Sequence, residues 1–253
     1  MTGVPKKAFL LAAGHGARLR PLTDTTPKCL LPIRGVPLLD IWLHRCREIG
    51  VAEVLINLHS HANEVRNFLR DRSWGVQVCV SDEPELLGSA GTIRENEEWL
   101  GGDRNFWIFY ADVLTNANLN EMLRFHRHQR AAVTIGVYNV PDPSRCGIVQ
   151  INENGWVTQF IEKPSIPVGN VAFSGIILAG PEFISAVPER TPADIGFDVL
   201  PQLVGRMAAH RIDDYLIDIG TMQNYLCAQE NWPGVVCSRN VIDTTGEKAC
   251  SEA

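Results

Sequence analysis

The residues best suited to chemistry lie in a glycine-rich, basic loop near the start of the chain. Residues 14–23 read GHGARLRPLT, and Lys28 follows a few positions later. Glycines at the carboxyl end of a buried strand let the backbone approach a ligand closely and point its N–H groups at an anion. Arg18, Arg20 and Lys28 supply the matching positive charge. The loop therefore predicts binding of a ligand that carries several phosphates.

The spacing of the loop excludes two common phosphate-binding motifs. The dinucleotide fingerprint needs a third glycine three residues after the second, and Leu19 stands there. The P-loop needs four residues between its glycines, followed by Gly-Lys-Ser/Thr, and the chain has no such string. Gly14 and Gly16 alone would also suit an ordinary strand-to-helix turn. The basic residues and prolines around them favour a phosphate site instead.

Two aspartates follow short apolar runs that read as strands. Asp112 comes after residues 106–110, and Asp218 comes after residues 215–217. In a doubly wound sheet, ligands bind beyond the carboxyl ends of the strands. Mg²⁺ is usually held by one or two carboxylates together with substrate phosphates. The spacing leaves two interpretations open: a magnesium site, or carboxylates that cap the following turn or helix.

Three further segments are candidates for binding. Residues 87–92 read LGSAGT before a predicted helix, so a flat ring or a phosphate can approach closely, although a plain loop capped by Thr92 is the simpler interpretation. Lys163 ends a predicted strand, where it is either solvated or a second phosphate ligand opposite Lys28. The histidine pairs at 59/61 and 126/128 lack a third ligand at a usual spacing, which disfavours a metal site.

The elements that must position these residues change character halfway along the chain. The first half alternates strand and helix, which predicts a mostly parallel sheet covered on both faces. The predicted strands there are 6–13, 53–58, 76–80, 106–110 and 132–138, and the helices are 37–49, 61–70, 91–100 and 118–129. The second half contains a hairpin across the turn Asn-Glu-Asn-Gly. Its strands are 147–151, 156–161, 171–178 and 215–219, and its helices are 181–186, 197–205 and 221–231.

Composition narrows the class of protein. The 253 residues are 45% hydrophobic and 21% charged, as in ordinary globular proteins, and no apolar stretch reaches the length of a membrane span. A net charge of −6 argues against nucleic-acid binding, and seven scattered cysteines read as reduced thiols in a cytoplasmic protein. We expect one domain over 1–232 and a polar tail over 233–253, for which disorder is one option.

Taken together, the motifs resemble the sugar-1-phosphate nucleotidylyltransferase family over roughly residues 6–232. The family loop reads Gly-x-Gly-x-Arg-Leu-x-Pro-Leu-Thr, then Pro-Lys-Pro-Leu-Leu-Pro, and this chain carries GHGARLRPLT and PKCLLP. Cys29 replaces the second proline and leaves Lys28 in place. The short motifs LGSAG, FIEKP and DIGT follow in the family's order. The resemblance implies an α/β, Rossmann-like fold with a mostly parallel mixed sheet and helices on both faces.

The resemblance also implies a reaction and roles for named residues. A sugar 1-phosphate oxygen attacks the α-phosphorus of a nucleoside triphosphate, giving a nucleotide sugar and pyrophosphate. Arg18, Lys28, Asp112 and Asp218 are the expected catalytic residues, with Mg²⁺ on the two aspartates. The expected nucleotide-binding residues are Ala12, Ala13, Gly14, Gly16, Arg18, Lys28, Gly88, Gly91 and Thr92. The expected sugar-phosphate residues are Gly147, Glu162, Lys163 and Asn170.

The choice of substrate stays open at this point. LGSAG is similar to the LGTAG of guanylyltransferases that act on mannose or heptose 1-phosphates, so GTP is the first expectation. Ala12 and Ala13 stand where many of those enzymes have Gly-Gly, which keeps UTP and dTTP as alternatives. A phosphocholine-type cytidylyltransferase and an inert regulatory subunit are further alternatives. Partners are expected to be the two substrates alone, without nucleic acid or membrane, and a homo-oligomer is an open option.

Overall fold

A nine-stranded mixed sheet forms the centre of the computed structural model, which describes residues 3–70, 72–237 and 240–241. The strands are β1 (Lys7–Leu11), β2 (Pro32–Ile33), β3 (Val36–Pro37), β4 (Glu53–Leu58), β5 (Gln77–Asp82), β6 (Phe106–Tyr110), β7 (Val113–Thr115), β8 (Val133–Asn139), β9 (Gly147–Ile151), β10 (Val157–Glu162), β11 (Val171–Ala179), β12 (Met207–Arg211), β13 (Leu216–Asp218), β14 (Val236–Cys237) and β15 (Asn240–Val241). The α-helices are α1 (Leu38–Glu48), α2 (Ala62–Arg70), α3 (Ser89–Glu95), α4 (Leu119–Gln129), α5 (Pro181–Ser185) and α6 (Met222–Asn231).

The order of strands separates a parallel half from a mixed half. The path runs β10-β9-β11-β6-β1-β4-β5, and β8 joins β11 to β12. Strands β6, β1, β4 and β5 are parallel, as the alternation of strand and helix predicts. Strand β11 runs antiparallel to β6, β8 and β9, whereas β12 runs parallel to β8. The predicted Rossmann-like mixed sheet is confirmed.

Apolar strands in the middle of the sheet build a core on each face. Alternate residues of β1 point to opposite sides, so that Leu10 joins one buried cluster and Phe9 joins the other. The same alternation divides Phe109 from Ile108 on β6. Continuous apolar runs are typical of strands that are covered on both faces. Helices α1, α4 and α6 contribute to the first cluster, and α3 and α5 contribute to the second.

Several predicted elements differ from the observed ones. The predicted strand over 6–13 ends at Leu11, so Ala12 and Ala13 belong to the loop. The helix predicted over 91–100 begins earlier and is divided into α3 and a 3₁₀ turn. The segment predicted as a helix over 197–205 is a π-helical turn followed by a 3₁₀ turn. Strand β12 was not predicted, because its sequence MAAHR lacks β-branched residues.

The predicted strand over 215–219 forms, but it does not join the central sheet. Strand β13 pairs antiparallel with β7 in a separate two-stranded ribbon, with Asp218 opposite Val113. The ribbon lies just beyond the end of β6, and this pairing brings Asp218 next to the residues that follow β6.

The chain after α6 is described only in part. Strands β14 and β15 form a short antiparallel pair within the predicted tail of 233–253. The rest of that tail lies outside the described residues. Among the described helices, none is both long and apolar enough to cross a membrane.

Candidate active site

A cleft of about 270 Å³ opens beyond the carboxyl end of β1. The basic loop forms one side of it, and Ala111 and Asp112 at the end of β6 form another. The lining residues are Leu11, Ala12, Gly14, His15, Gly16, Ala17, Arg18, Lys28, Cys29, Ala111, Asp112 and Gly220. The residues expected to hold a triphosphate therefore share one cavity, except for buried Ala13 and the segment 88–92.

Gly16 is required by the backbone of the basic loop. Its φ of 65° lies in the left-handed region, and a Cβ there would stand 2.9 Å from Cγ2 of Thr23. The Thr23 hydroxyl donates a 2.8 Å hydrogen bond to the Gly16 carbonyl. This contact fixes the turn that begins with Gly16, and the turn places Arg18 at the mouth of the cleft.

Three charged groups converge at the cleft, of which Lys28 and Asp112 line it and Asp218 lies two residues before the lining residue Gly220. Nζ of Lys28 lies 2.5 Å from Oδ2 of Asp112 and 3.7 Å from Oδ1 of Asp218. The Lys28 side chain is only 11% exposed, whereas the aspartates are 34% and 47% exposed. A buried ammonium between two accessible carboxylates sets up a strong local field, because partial burial weakens screening by water.

Backbone pairing places the two carboxylates side by side. The N–H of Ile219 donates to the carbonyl of Asp112 over 3.0 Å, which continues the β7–β13 ribbon. The Asp218 carboxylate accepts a 2.6 Å hydrogen bond from the N–H of Gly220. The side chain of Asn224 donates to the Asp218 carbonyl over 2.7 Å. Asp218 is therefore held at both its backbone and its side chain.

The electrostatics of Asp218 reflect this crowding. Burial raises its pKa, and the negative charge of Asp112 raises it further. Lys28, the N–H of Gly220 and Arg18 act in the opposite direction. Arg18 is close enough for this, because a Cβ on Gly220 would lie 2.9 Å from its Nη2 and 2.8 Å from Oδ1 of Asp218.

The two aspartates suit the metal that the sequence predicts. Both reach the same ammonium from different strands, so a second cation beside them would face two carboxylates. Mg²⁺ prefers oxygen ligands of this kind and takes its remaining ligands from phosphates and water. Within the described residues, no group of three or more His, Cys, Asp or Glu side chains suited to a metal occurs, at this site or elsewhere.

A buried polar network behind the loop was not predicted from the sequence. Oδ1 of Asn57 accepts the N–H of Ala12 over 2.7 Å, and its Nδ2 donates to Glu83 over 2.9 Å. The Thr92 hydroxyl bonds to the same Glu83 carboxylate. Asn57 and Glu83 lie at strand ends, which is the signal that could have identified them.

The segment 88–92 packs behind the cleft rather than lining it. Gly88 has a φ of 79°, and a Cβ there would stand 2.3 Å from the carbonyl oxygen of Ala193. The N–H groups of Ala90 and Gly91 donate to that same oxygen. Thr92 is wholly buried and lies inside α3, which begins after Gly88, so the interpretation of Thr92 as the cap is wrong.

The sugar-phosphate residues gather at the end of the β9–β10 hairpin. Nζ of Lys163 lies 3.4 Å from Oε1 of Glu162. Gly147 makes room for Glu162, because a Cβ there would stand 2.5 Å from its Oε2. Burial raises the pKa of Glu162, and Lys163 opposes that rise. Asn170 is exposed, and its carbonyl accepts the N–H of Val140 over 2.9 Å.

Cys146 adjoins this group, because its carbonyl accepts the N–H of Lys163 over 3.0 Å. Burial raises the pKa of its thiol, and the charges of Asp218 and Glu162 raise it further. Burial also raises the pKa of Cys29, in the cleft wall, to about 12, so that thiol stays protonated and acts as an apolar group.

One histidine of each pair contacts a neighbouring polar group of the fold through its Nδ1. Nδ1 of buried His126 lies 2.8 Å from Oγ1 of Thr134, and burial lowers its pKa to about 4. Nδ1 of His59 lies 2.7 Å from the Glu83 carbonyl. The expectation that neither pair forms a metal site stays a prediction.

Two relatives of the chain carry the names of sugar-1-phosphate nucleotidylyltransferases. It is 31% identical over 227 residues to "Mannose-1-phosphate guanylyltransferase 1" of Arabidopsis thaliana, covering 87% of this chain and 63% of that protein. It is 32% identical over 237 residues to "UTP--glucose-1-phosphate uridylyltransferase" of Synechocystis sp. (strain ATCC 27184 / PCC 6803 / Kazusa), covering 87% and 61%. The chain thus spans less than two thirds of the length of these relatives.

A solved structure and a family profile complete the comparison. The structure of a UDP-glucose pyrophosphorylase complexed with UDP-glucose superposes with a TM-score of 0.79 at 20% identity, over 89% of this chain and 97% of that one. At that identity the match shows the fold alone. The profile described as "Nucleotidyl transferase" matches residues 7–233. The loop, the paired aspartates and this match agree that the chain belongs to the nucleotidyl transferase family.

Proposed function

We propose that this protein transfers a nucleotidyl group from a nucleoside triphosphate to a sugar 1-phosphate, giving a nucleotide sugar and pyrophosphate. The observation that carries the proposal is the convergence of Lys28, Asp112 and Asp218 beneath a glycine-rich basic loop. Both aspartates stand where a polyphosphate in the cleft would meet them. The named relatives, which carry sugar-1-phosphate nucleotidylyltransferase names, support the same reaction.

The chemistry asks for alignment and charge neutralisation rather than proton transfer. The attacking phosphate oxygen is already an anion, so no general base is needed, and catalysis rests on positioning and electrostatic stabilisation. The N–H groups around Gly14 and Gly16, together with Arg18, would bind the triphosphate. Lys28 would neutralise charge near the α-phosphate. A magnesium ion held by Asp112 and Asp218 would supply further positive charge to the phosphates.

The second substrate would enter from the side of the hairpin. Lys163 is the cation suited to its phosphate, and Glu162 accepts hydrogen bonds from hydroxyl groups of the sugar. Gly147 and Asn170 would complete that side.

For the substrates themselves we propose GTP with a mannose- or heptose-type 1-phosphate. The support is the LGSAG segment and a relative named as a mannose-1-phosphate guanylyltransferase. The alternative is UTP or dTTP, which the Ala12-Ala13 pair and the relative named as a uridylyltransferase favour.

The decisive experiment measures pyrophosphate release in Mg²⁺ with ATP, GTP, CTP, UTP and dTTP against a panel of sugar 1-phosphates and phosphocholine. We expect release with a sugar 1-phosphate, and most with GTP and mannose 1-phosphate or a heptose 1-phosphate. No release with any sugar phosphate would contradict the proposed reaction. Release with CTP and phosphocholine alone would favour a cytidylyltransferase, and a maximum with UTP or dTTP would revise the nucleotide only.

A further inference from the structure

The aromatic ring of Phe197 is exposed beside the residues predicted to bind the sugar phosphate. The side chain belongs to the π-helical turn Ile195–Val199 and is 56% exposed, whereas Ile195 and Val199 are fully buried. Burial of a large apolar side chain stabilises the folded state, so an exposed aromatic ring needs a reason. An exposed aromatic ring next to polar residues is typical of a binding site. Single π-helical turns are also frequent at functional sites.

Hydrogen bonds hold the backbone of this turn in place. Oδ1 of Asp194 accepts the N–H of Gly196 over 2.8 Å and the N–H of Phe197 over 3.1 Å. Oδ2 of Asp194 accepts the Ser89 hydroxyl over 2.9 Å, and that hydroxyl accepts the N–H of Ile195. The ring is therefore presented from a fixed turn that is tied to the start of α3.

The turn also contacts the two residues predicted to bind the sugar phosphate. A Cβ on Gly196 would stand 2.5 Å from Oε2 of Glu162, so the glycine lets the turn close onto that carboxylate. Nζ of Lys163 lies 5.3 Å from the centre of the Phe197 ring, at the distance of a cation–π contact. The carboxylate, the ammonium and the ring thus face one small space.

We propose that Phe197 is the stacking surface for the sugar ring of the sugar 1-phosphate. This inference rests on the proposed function. The Lys163 ammonium lies 3.4 Å from Oε1 of Glu162 and 5.3 Å from the centre of the Phe197 ring, so a pyranose whose phosphate binds Lys163 would lie beside the ring. The face of a pyranose that carries axial C–H groups is apolar and packs well on an aromatic ring.

The test compares three replacements of the ring. Phe197→Ala removes the surface, Phe197→Leu keeps apolar bulk without a ring, and Phe197→Tyr keeps the ring. We expect KM for the sugar 1-phosphate to rise roughly three- to tenfold in the alanine variant, less in the leucine variant, and little in the tyrosine variant. KM for the nucleoside triphosphate should stay within twofold. Val80→Ala, an exposed apolar residue on the opposite edge strand β5, is the matched control.

Equilibrium binding supplies a readout that does not need turnover. Measured by calorimetry, Phe197→Ala should weaken binding of the product nucleotide sugar by a similar factor. Binding of the corresponding nucleoside diphosphate should be unchanged. An active wild type together with an unchanged sugar KM in Phe197→Ala overturns this inference alone. An equal weakening of nucleoside diphosphate binding also overturns this inference. A wild type that releases no pyrophosphate with any sugar 1-phosphate overturns the proposed function and the inference with it.

Discussion

The two sides of the candidate site hold their charged groups in different ways. In the cleft, the Lys28 ammonium lies close to the carboxylates of both Asp112 and Asp218, and the segments that carry the two aspartates are hydrogen-bonded together. On the hairpin side, Lys163 is 56% exposed and has one carboxylate for a partner. The first arrangement is ordered before a ligand arrives. The second leaves a cation for the ligand to order.

The difference corresponds to the two tasks proposed for these sides. Groups that stabilise developing charge work best when they are fixed in advance, because no reorganisation is then needed during the reaction. Groups that bind a variable sugar need shape and an accessible charge. We therefore expect changes in the cleft to reduce turnover and changes at the hairpin to reduce affinity for one substrate.

The largest effect is expected from Asp112→Asn, which removes charge from the cleft and keeps the shape. Turnover should fall by about 10²–10³-fold, as for loss of a group that stabilises a transition state, and the melting temperature should change little. Initial rates with saturating substrates and thermal unfolding measure both. Asp213→Asn, at an exposed aspartate, is the control. A fully active Asp112→Asn enzyme would refute the role of Asp112.

The next effect concerns the support behind the loop. Asn57→Ala removes the partner of the Ala12 N–H and two hydrogen bonds to Glu83 and Thr92. Leaving buried polar groups unpaired should lower the free energy of unfolding by about 2–3 kcal/mol, measured with urea. Asn139→Ala, at an exposed position, should change it little. If both variants are equally stable, the cleft is not preorganised by this network.

A smaller effect is expected on the hairpin side from Lys163→Ala. KM for the sugar 1-phosphate should rise about tenfold, in keeping with loss of a charged hydrogen bond, while KM for the nucleotide and kcat change little. Steady-state kinetics with each substrate varied in turn gives the three values. Lys6→Ala, at an exposed lysine, is the control. A fall in kcat without a change in KM would contradict the expected difference between the cleft and the hairpin side.

The smallest effect is expected from Gly196→Ala. The new methyl group would stand 2.5 Å from Oε2, 2.7 Å from Cδ and 3.1 Å from Cγ of Glu162, and Oε2 also lies 2.5 Å from the position of a Cβ on Gly147, so the carboxyl group has to shift within a packed site. KM for the sugar 1-phosphate should rise about two- to fourfold, which corresponds to less than about 1 kcal/mol. Kinetics with a panel of sugar 1-phosphates measures it, and a change that is equal for the nucleotide would count against a sugar-side role.

The parts of the fold that could be predicted are those with strong local signals. Long apolar runs such as β1 and β6 require burial on two faces. The turn that ends at Gly155 joins β9 to β10 in a hairpin. Strand β12 and the ribbon β7–β13 are short and weakly patterned, and only pairing with distant strands gives them their conformation. That tertiary contribution has no local signature.

The site divides in the same way. Gly16, Arg18 and Lys28 carry the signal in their type and spacing, and the structure places them in one cleft. Asn57 and Glu83 act through buried hydrogen bonds to the backbone and to each other, and single residues at strand ends give little indication of such partners. Phe197 reads as an ordinary helical apolar residue, because its exposure depends on a turn that Asp194 and Ser89 set up.

The ribbon that carries Asp218 has a consequence for the order in which the protein is made. All nine strands of the central sheet have left the ribosome once Arg211 has done so, but the second aspartate of the cleft comes later, on β13. A domain folds as a unit, and Ile219, Ala228 and Trp232, at or after the end of the ribbon, belong to the first buried cluster. A chain that stops at Arg211 would therefore lack both the second aspartate and part of the core that supports the sheet. Completion of the proposed site and completion of the core come together, with the docking of β13 onto β7.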